Sequence, residues 1–317
     1  MTQVWTMGEL LAEVMRPERD VPLGRTGSFL GPFPSGAPGI FADTVARLGH
    51  SSGIISAVGG DAFGMAILDR LRRDGVRTDH VTVVPDRSTG VAFVAYDGSG
   101  ARSFIFHWAG TPAVMAGVPP REIVDGAAFF HVMGCSLMAD AGFAGRIIEA
   151  VESFAAGGAE VTFDPNVRTE LLGGGSAAAM VAPILERCSI LLPGAAELRL
   201  LAGVDDLDDA AAALMRRYPI RLTVVKLGRA GCRVYTDQRR IDIPAFEVEE
   251  VDPTGAGDSF DAGFLCGLLD GEPPEQAARL AAAAGALNAA AFGPMEGNIS
   301  PAAVARLRDA PGSSSAT

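Results

Sequence analysis

Residues 251–264 read VDPTGAGDSFDAGF. Gly255, Ala256 and Gly257, with almost no side chain between them, lead into a carboxylate, Asp258. A run follows whose apolar residues Phe260, Phe264, Leu265 and Leu268 recur at helical spacing. The first amides of a helix have no intrahelical partner, and the helix dipole adds partial positive charge there, so a helix opening at this point attracts an anion. Small residues let the anion approach closely. Asp258 then stands at the mouth of that site, able to take a proton from a hydroxyl while the amides hold developing negative charge. The plain alternative is a loop with an acid near a helix start, where acids are favoured anyway. The stretch fails as GxGxxG because Phe260 occupies the last glycine position, and no GxxxxGK[ST] occurs in the chain.

Outward from this point, short apolar runs alternate with helical patterns. VWTMG, SGIISAV, AAFFHVM, EVTFD, SILLPG and LTVVKLG read as strands; FADTVARLGH, GMAILDRLRRDGV, GFAGRIIEAVESFAAGG and DDAAAALMRRY read as helices, several ending near a glycine. The alternation predicts an α/β fold, doubly wound, with a largely parallel sheet and helices on both faces. One region departs from it. Residues 89–107, TGVAFVAYDGSGARSFIFH, alternate with period two about a turn at 97–100 and predict an antiparallel hairpin. With the Gly- and Pro-rich stretch 20–36 it predicts a β lid, formed by about 14–35 and 88–110, over one edge of a single domain spanning 1–310. The tail 311–317, PGSSSAT, is expected to be disordered.

The chain has 317 residues, 48% of them hydrophobic, enough for a large core, and a net charge of -12. That charge argues against a nucleic-acid backbone or an anionic membrane surface as partner. Cys135, Cys188, Cys232 and Cys266 form no CxxC pair, and the four histidines show no metal-binding spacing, so a reduced, cytoplasmic protein without structural zinc is expected. The alanine-rich stretch 277–291 is interrupted by Arg279, Gly285 and Asn288 and reads as buried helix, not as a membrane span.

DPTGAGDSFDAGF resembles the second signature of the ribokinase-like (PfkB) sugar kinase family. SGAPGIFADTVARLG with SAVGGDAFG is similar to the first signature, FDPNVR to the family's mid-chain strand end, and VVKLGRAGC to the strand and turn ahead of the nucleotide. The resemblance runs from Met7 to about Leu307. It implies that Asp258 is the catalytic base and that Gly255, Ala256 and Gly257 form the anion hole. It further implies that Glu13 holds sugar hydroxyls, that Gly36 lets the sugar lie against backbone, and that Arg168 approaches substrate or transferred phosphate. Lys226, Gly228, Gly231 and Thr254 fall on the nucleotide side, Glu197 in a magnesium network, and Asp252 beside a monovalent cation such as K+. His107, closing the hairpin, is a further candidate for the sugar side. Three departures stand out. The usual Asn is Ile40, with Asp43 one turn later as a replacement; the first hinge glycine is Ser35; and the N-x-x-E motif reads Gly194-Ala-Ala-Glu197.

The function the resemblance implies is transfer of the γ-phosphoryl group of ATP, with Mg2+, to a primary hydroxyl of a small sugar, in a homodimer. GELLAE, SGAP and DPNVR are closer to fructokinase-like and 2-keto-3-deoxygluconate kinases than to adenosine kinases. A carboxylate substrate needs cationic partners, and FIFHWAG offers His107 with Arg102 only at the near end of the strand. An uncharged ketohexose, tagatose or fructose, is therefore expected over 2-keto-3-deoxygluconate. The alternative of another class is a catalytically silent sugar- or nucleotide-binding regulator. A nucleotide-dependent dehydrogenase is disfavoured because the first strand runs into Gly8-Glu9 and not into a glycine fingerprint.

Overall fold

The computed structural model describes residues 2–98, 100, 102–172 and 175–310. In chain order its strands are β1 (Val4–Met7), β2 (Leu11–Met15), β3 (Leu30–Ser35), β4 (Ser52–Gly59), β5 (Val81–Val84), β6 (Gly90–Tyr96), β7 (Arg102–His107), β8 (Phe129–Met133), β9 (Glu160–Asp164), β10 (Cys188–Leu191), β11 (Leu222–Lys226), β12 (Cys232–Tyr235) and β13 (Arg240–Ile243). Its helices are α1 (Ala37–Arg47), α2 (Ala62–Arg73), α3 (Ala141–Ala156), α4 (Ala177–Leu185), α5 (Ala195–Ala202), α6 (Leu207–Arg217), α7 (Ala256–Leu269), α8 (Pro274–Ala289) and α9 (Pro301–Arg308).

Nine strands form the main sheet in the order β13-β12-β11-β10-β9-β8-β1-β4-β5. Pairing is parallel from β11 to β5 and antiparallel only where β12 and β13 close one edge. The central strands are buried on both faces, which is why they read as unbroken apolar runs. One face packs on α3 to α6 through Phe143, Phe154, Ile184 and Leu214, the other on α1 and α7 to α9 through Phe41, Phe264, Ala281 and Val304.

A second sheet, β3-β2-β6-β7, stands apart from the first. It begins at Leu11, three residues earlier than the expected boundary near 14, because β2 pairs in parallel with β6 from Leu11↔Gly90 to Met15↔Val94. β6 and β7 pair antiparallel from Val91↔His107 to Tyr96↔Arg102. The chain passes from β1 into this sheet through residues 8–10 alone.

α7 is buried nearly all round, not on one stripe, because α1 and α8 sandwich it. A Cβ added at Gly263 would lie 2.9 Å from the Cα of Ala281, and one at Gly267 would lie 2.7 Å from the Cα of Ala277. The small-residue run thus lets two helix backbones meet closely. Among the described residues no helix is long and apolar enough to cross a membrane. The four cysteines are buried and unpaired. The tail 311–317, and residues 99 and 101 at the hairpin turn, lie outside the described residues.

Candidate active site

α7 begins where the glycines predict. Gly255 is its N-cap with φ of 78°, and a Cβ there would meet the carbonyl of Pro294 at 2.3 Å, so only glycine fits. The amides of Ala256 and Gly257 open the first turn, with Asp258 next in the same turn. Asn166, itself in the left-handed region at φ 38°, donates from Nδ2 to Asp258 Oδ1 at 3.2 Å. Burial pushes the Asp258 carboxyl up to about 6; nearby Asp164 adds to the rise, and Arg168, Lys226 and Arg102 oppose it.

Three cavities share walls around this turn. The first lies under the second sheet and is lined by Glu9, Glu13, Gly36, Ile40, Thr254, Gly255 and Asp258, with Arg102, Phe104, Phe106 and Trp108 from the β7 side and Cys135, Arg168 and Leu171 from the main-sheet side. The second, a cleft, is bounded by Asp164, Asn166, Arg168, Glu197, Lys226, Gly255, Gly257 and Asp258. The third is a groove of about 700 Å³ between the 228–231 turn, residues 244–250 and the open side of α7 and α8. Asp258 is common to the first two, and Gly257 and Lys226 to the last two. The helix mouth therefore separates a closed pocket from an open groove.

In the closed pocket, Gly36 (φ 104°) brings its backbone against Glu9, and a Cβ there would meet the Glu9 carbonyl at 2.4 Å. Glu13 is buried, its Oε2 has no hydrogen-bond partner among the described residues, and burial lifts its carboxyl to about 7. Arg102 and Arg168 flank Phe104, their guanidinium carbons 5.6 and 5.8 Å from its ring centre, and among the described residues neither makes an ion pair with a carboxylate. Glu9 was not singled out from the sequence. Its carboxylate accepts from Ser136 Oγ and Cys135 Sγ, and burial lifts it to about 7. The Gly-Glu pair at the end of β1 was the available signal.

Lys226 sits between cleft and groove, but its Nζ donates to Asp164 Oδ2 at 2.8 Å and to both Asp261 oxygens at 3.0 Å. Asp261, fully buried in the second turn of α7, was also missed; nothing in the local sequence separates it from a solvated polar residue of a helix. Gly228 and Gly231 line the groove. Glu197 lines the cleft and accepts from the amides of Val167 and Gly194, both at 2.7 Å. Asp252 is buried behind α7: Oδ1 accepts from Tyr96 Oη and the Thr254 amide, Oδ2 from the Gly293 amide.

Three expectations are corrected. His107 is exposed and packs edge-on against Phe93, 6.0 Å between ring centres, because alternate β7 residues face opposite ways and Arg102, Phe104 and Phe106 take the pocket side. Thr254 lines the pocket, not the groove that its neighbour Pro253 lines, and its hydroxyl lies 2.9 Å from Tyr96 Oη. Asp43 does not replace the missing amide at Ile40: it points away from the pocket, buried near Arg47 (3.5 Å) and Arg70 (3.8 Å).

Among the described residues no group of three or more His, Cys, Asp or Glu side chains gathers as a metal cage. Asp164 and Glu197 nevertheless face the cleft, a donor set suited to Mg2+ that keeps its waters and is held mainly by phosphate oxygens.

The model for "pfkB family carbohydrate kinase" matches residues 1–301. The fructokinase of Salmonella typhimurium is 32% identical over 305 residues, covering 92% of this chain and 95% of its own. An E. coli protein described as a ribokinase II, in complex with ATP and Mg2+, superposes with a TM-score of 0.90 at 34% identity, covering 97% of this chain and 99% of that one. A fructokinase from Xylella fastidiosa with bound ATP gives 0.85 at 28% identity, covering 97% and 98%.

Proposed function

The chain belongs to the pfkB family of carbohydrate kinases and is an ATP-dependent sugar kinase, and from that premise we propose how its residues carry out the transfer. The observation that carries the reading is the position of Asp258 and the 255–257 amides in the wall between a closed pocket and an open groove. The acceptor occupies the closed pocket and ATP the groove. Asp258 accepts the proton of a primary hydroxyl as its oxygen forms a bond to the γ-phosphorus, and the bond from that phosphorus to the bridging oxygen of ADP breaks. The amides of residues 255–257 hold the charge on the phosphoryl oxygens. Asn166 fixes Oδ1 of the base, leaving the other oxygen for the hydroxyl.

Glu13 receives a sugar hydroxyl on its unpartnered oxygen, and Gly36 lets the sugar ring lie against the backbone. Gly228 and Gly231 border the nucleotide. Asp164 and Glu197 would hold Mg2+ at the cleft, and the ion would supply neutralisation of phosphate charge there. Lys226 orients Asp164 and Asp261 and is not free to grip phosphate. A monovalent cation at Asp252 would share a carboxylate that already accepts three hydrogen bonds; activity retained when sodium replaces potassium counts against that site. A cytoplasmic homodimer is the form in which we expect the enzyme to work, and a mass measurement in solution tests the dimer.

For the acceptor we favour a ketohexose, fructose or tagatose, in line with the fructokinase relative. A second reading, a 2-keto-3-deoxy acid such as 2-keto-3-deoxygluconate, is favoured by one observation. Arg102, at the near end of the strand, lines the acceptor pocket beside Arg168. Comparing kcat/KM for fructose, tagatose and the acid decides: a preference of more than about a hundredfold for the acid, ~2.7 kcal/mol in the transition state, selects the second reading. Asp258→Asn tests the mechanism. Turnover should fall about 10² to 10⁴-fold with acceptor affinity largely kept, and near-normal turnover sinks the assignment. No ADP release with any sugar would return the protein to the regulator class.

A further inference from the structure

Tyr96 ends β6, in the second sheet, yet its hydroxyl belongs to the other half of the site. Its ring packs with Met15 and Val94, and Phe33, Phe104 and Phe292 close around that cluster. From there Oη donates to Asp252 Oδ1 at 2.7 Å and lies 2.9 Å from Thr254 Oγ1. Tyr96 is 7% exposed, so these bonds form without competing water. Burial and the neighbouring Asp252 push the phenol well above its ordinary range, keeping it a donor.

The segment it grips leads straight into the anion hole. Thr254 is fastened again by its own amide to Asp252 Oδ1 (3.0 Å) and by Asn288 Nδ2 to its carbonyl (2.8 Å), and the next residue, Gly255, caps α7. The direction in which the first α7 amides point therefore depends on residues 252–254. Of the side-chain bonds named here, those of Tyr96 alone come from the second sheet.

Resting on the proposed kinase mechanism, we propose that Tyr96 is a positioning residue: it locks the 252–254 segment when the second sheet is seated, so that the anion-hole amides are aimed only while the acceptor pocket is roofed. The hydroxyl does not touch the acceptor, so its loss should weaken transfer far more than acceptor binding. Tyr96→Phe keeps the ring and removes one oxygen.

The test combines kinetics with amide hydrogen exchange. With the best acceptor among fructose, tagatose and 2-keto-3-deoxygluconate, Tyr96→Phe should lower kcat at least tenfold and leave the acceptor KM within threefold. Exchange of amides 254–258 should speed up at least tenfold while β8 and β9 stay protected. Asp252→Ala removes the other end of the same bond; it should give the same exchange pattern, and the double variant should be no worse than Asp252→Ala alone. A kcat within twofold of the parent, a parallel loss in KM, or unchanged exchange at 254–258 overturns the role. Absence of turnover in the parent protein removes the kinase mechanism instead, and the exchange comparison, which needs no substrate, still decides whether Tyr96 holds the segment.

Discussion

At the scale of single residues, the site turns on what burial does to carboxylates. Asp258 ionises near 6, not at an ordinary aspartate value near 3.8, because it is cut off from water. As a base it works only ionised. kcat/KM should therefore rise with pH through about 6 and be lost below it, and a profile flat down to pH 4.5 would exclude Asp258 as the base. Lys226 behaves oppositely: Asp164 and Asp261 hold its charge in place despite burial. Removing the ammonium with Lys226→Met leaves two buried carboxylates without their cation. The loss should be about 3–5 kcal/mol, as for other broken buried pairs, read from a denaturant titration. Asp258 was legible because glycine, alanine and carboxylate in that order have a chemical reason to occur together. Asp261 and the bonds of Lys226 were not, since pairing across 35 and 62 residues leaves no local pattern.

Among the elements, legibility followed the regularity of the apolar pattern, and the period-two alternation of β6 and β7 marked a hairpin although β7 is largely exposed. β1, β4, β8, β9, β10 and β11 are covered on both sides and announce themselves as apolar runs. β2, β3, β12 and β13 lie in the smaller sheet or at an edge, where polar and apolar residues mix, and short strands of that kind resemble loops. α7 is buried from Asp258 to Gly267, more fully than the spacing of Phe260, Phe264, Leu265 and Leu268 alone implies. That burial matters, because its neighbour α8 also walls the groove proposed for ATP through Ala282, Ala286 and Ala289. Gly263→Leu forces a side chain where a Cβ already lies 2.9 Å from α8 backbone. We expect a loss of about 1–3 kcal/mol from overpacking together with a raised KM for ATP, checked by thermal unfolding and initial rates. An unchanged melting temperature would show that α8 yields freely.

Over the whole molecule, the proposed base, amide row and groove stand on the main sheet and its helices, whereas much of the proposed acceptor wall belongs to the small second sheet. Within that wall one strand presents Arg102, Phe104 and Phe106 inward and Ser103, Ile105 and His107 outward. Arg102→Leu tests the division: kcat/KM for an acidic acceptor should fall at least tenfold, while a neutral ketohexose should lose less than threefold. Equal losses would tie the arginine to the transfer step. In evolutionary terms, the alternation gives selection a dial of three positions. Changes at those three positions alter one wall of the pocket while leaving Asp258, the 255–257 turn and the groove untouched.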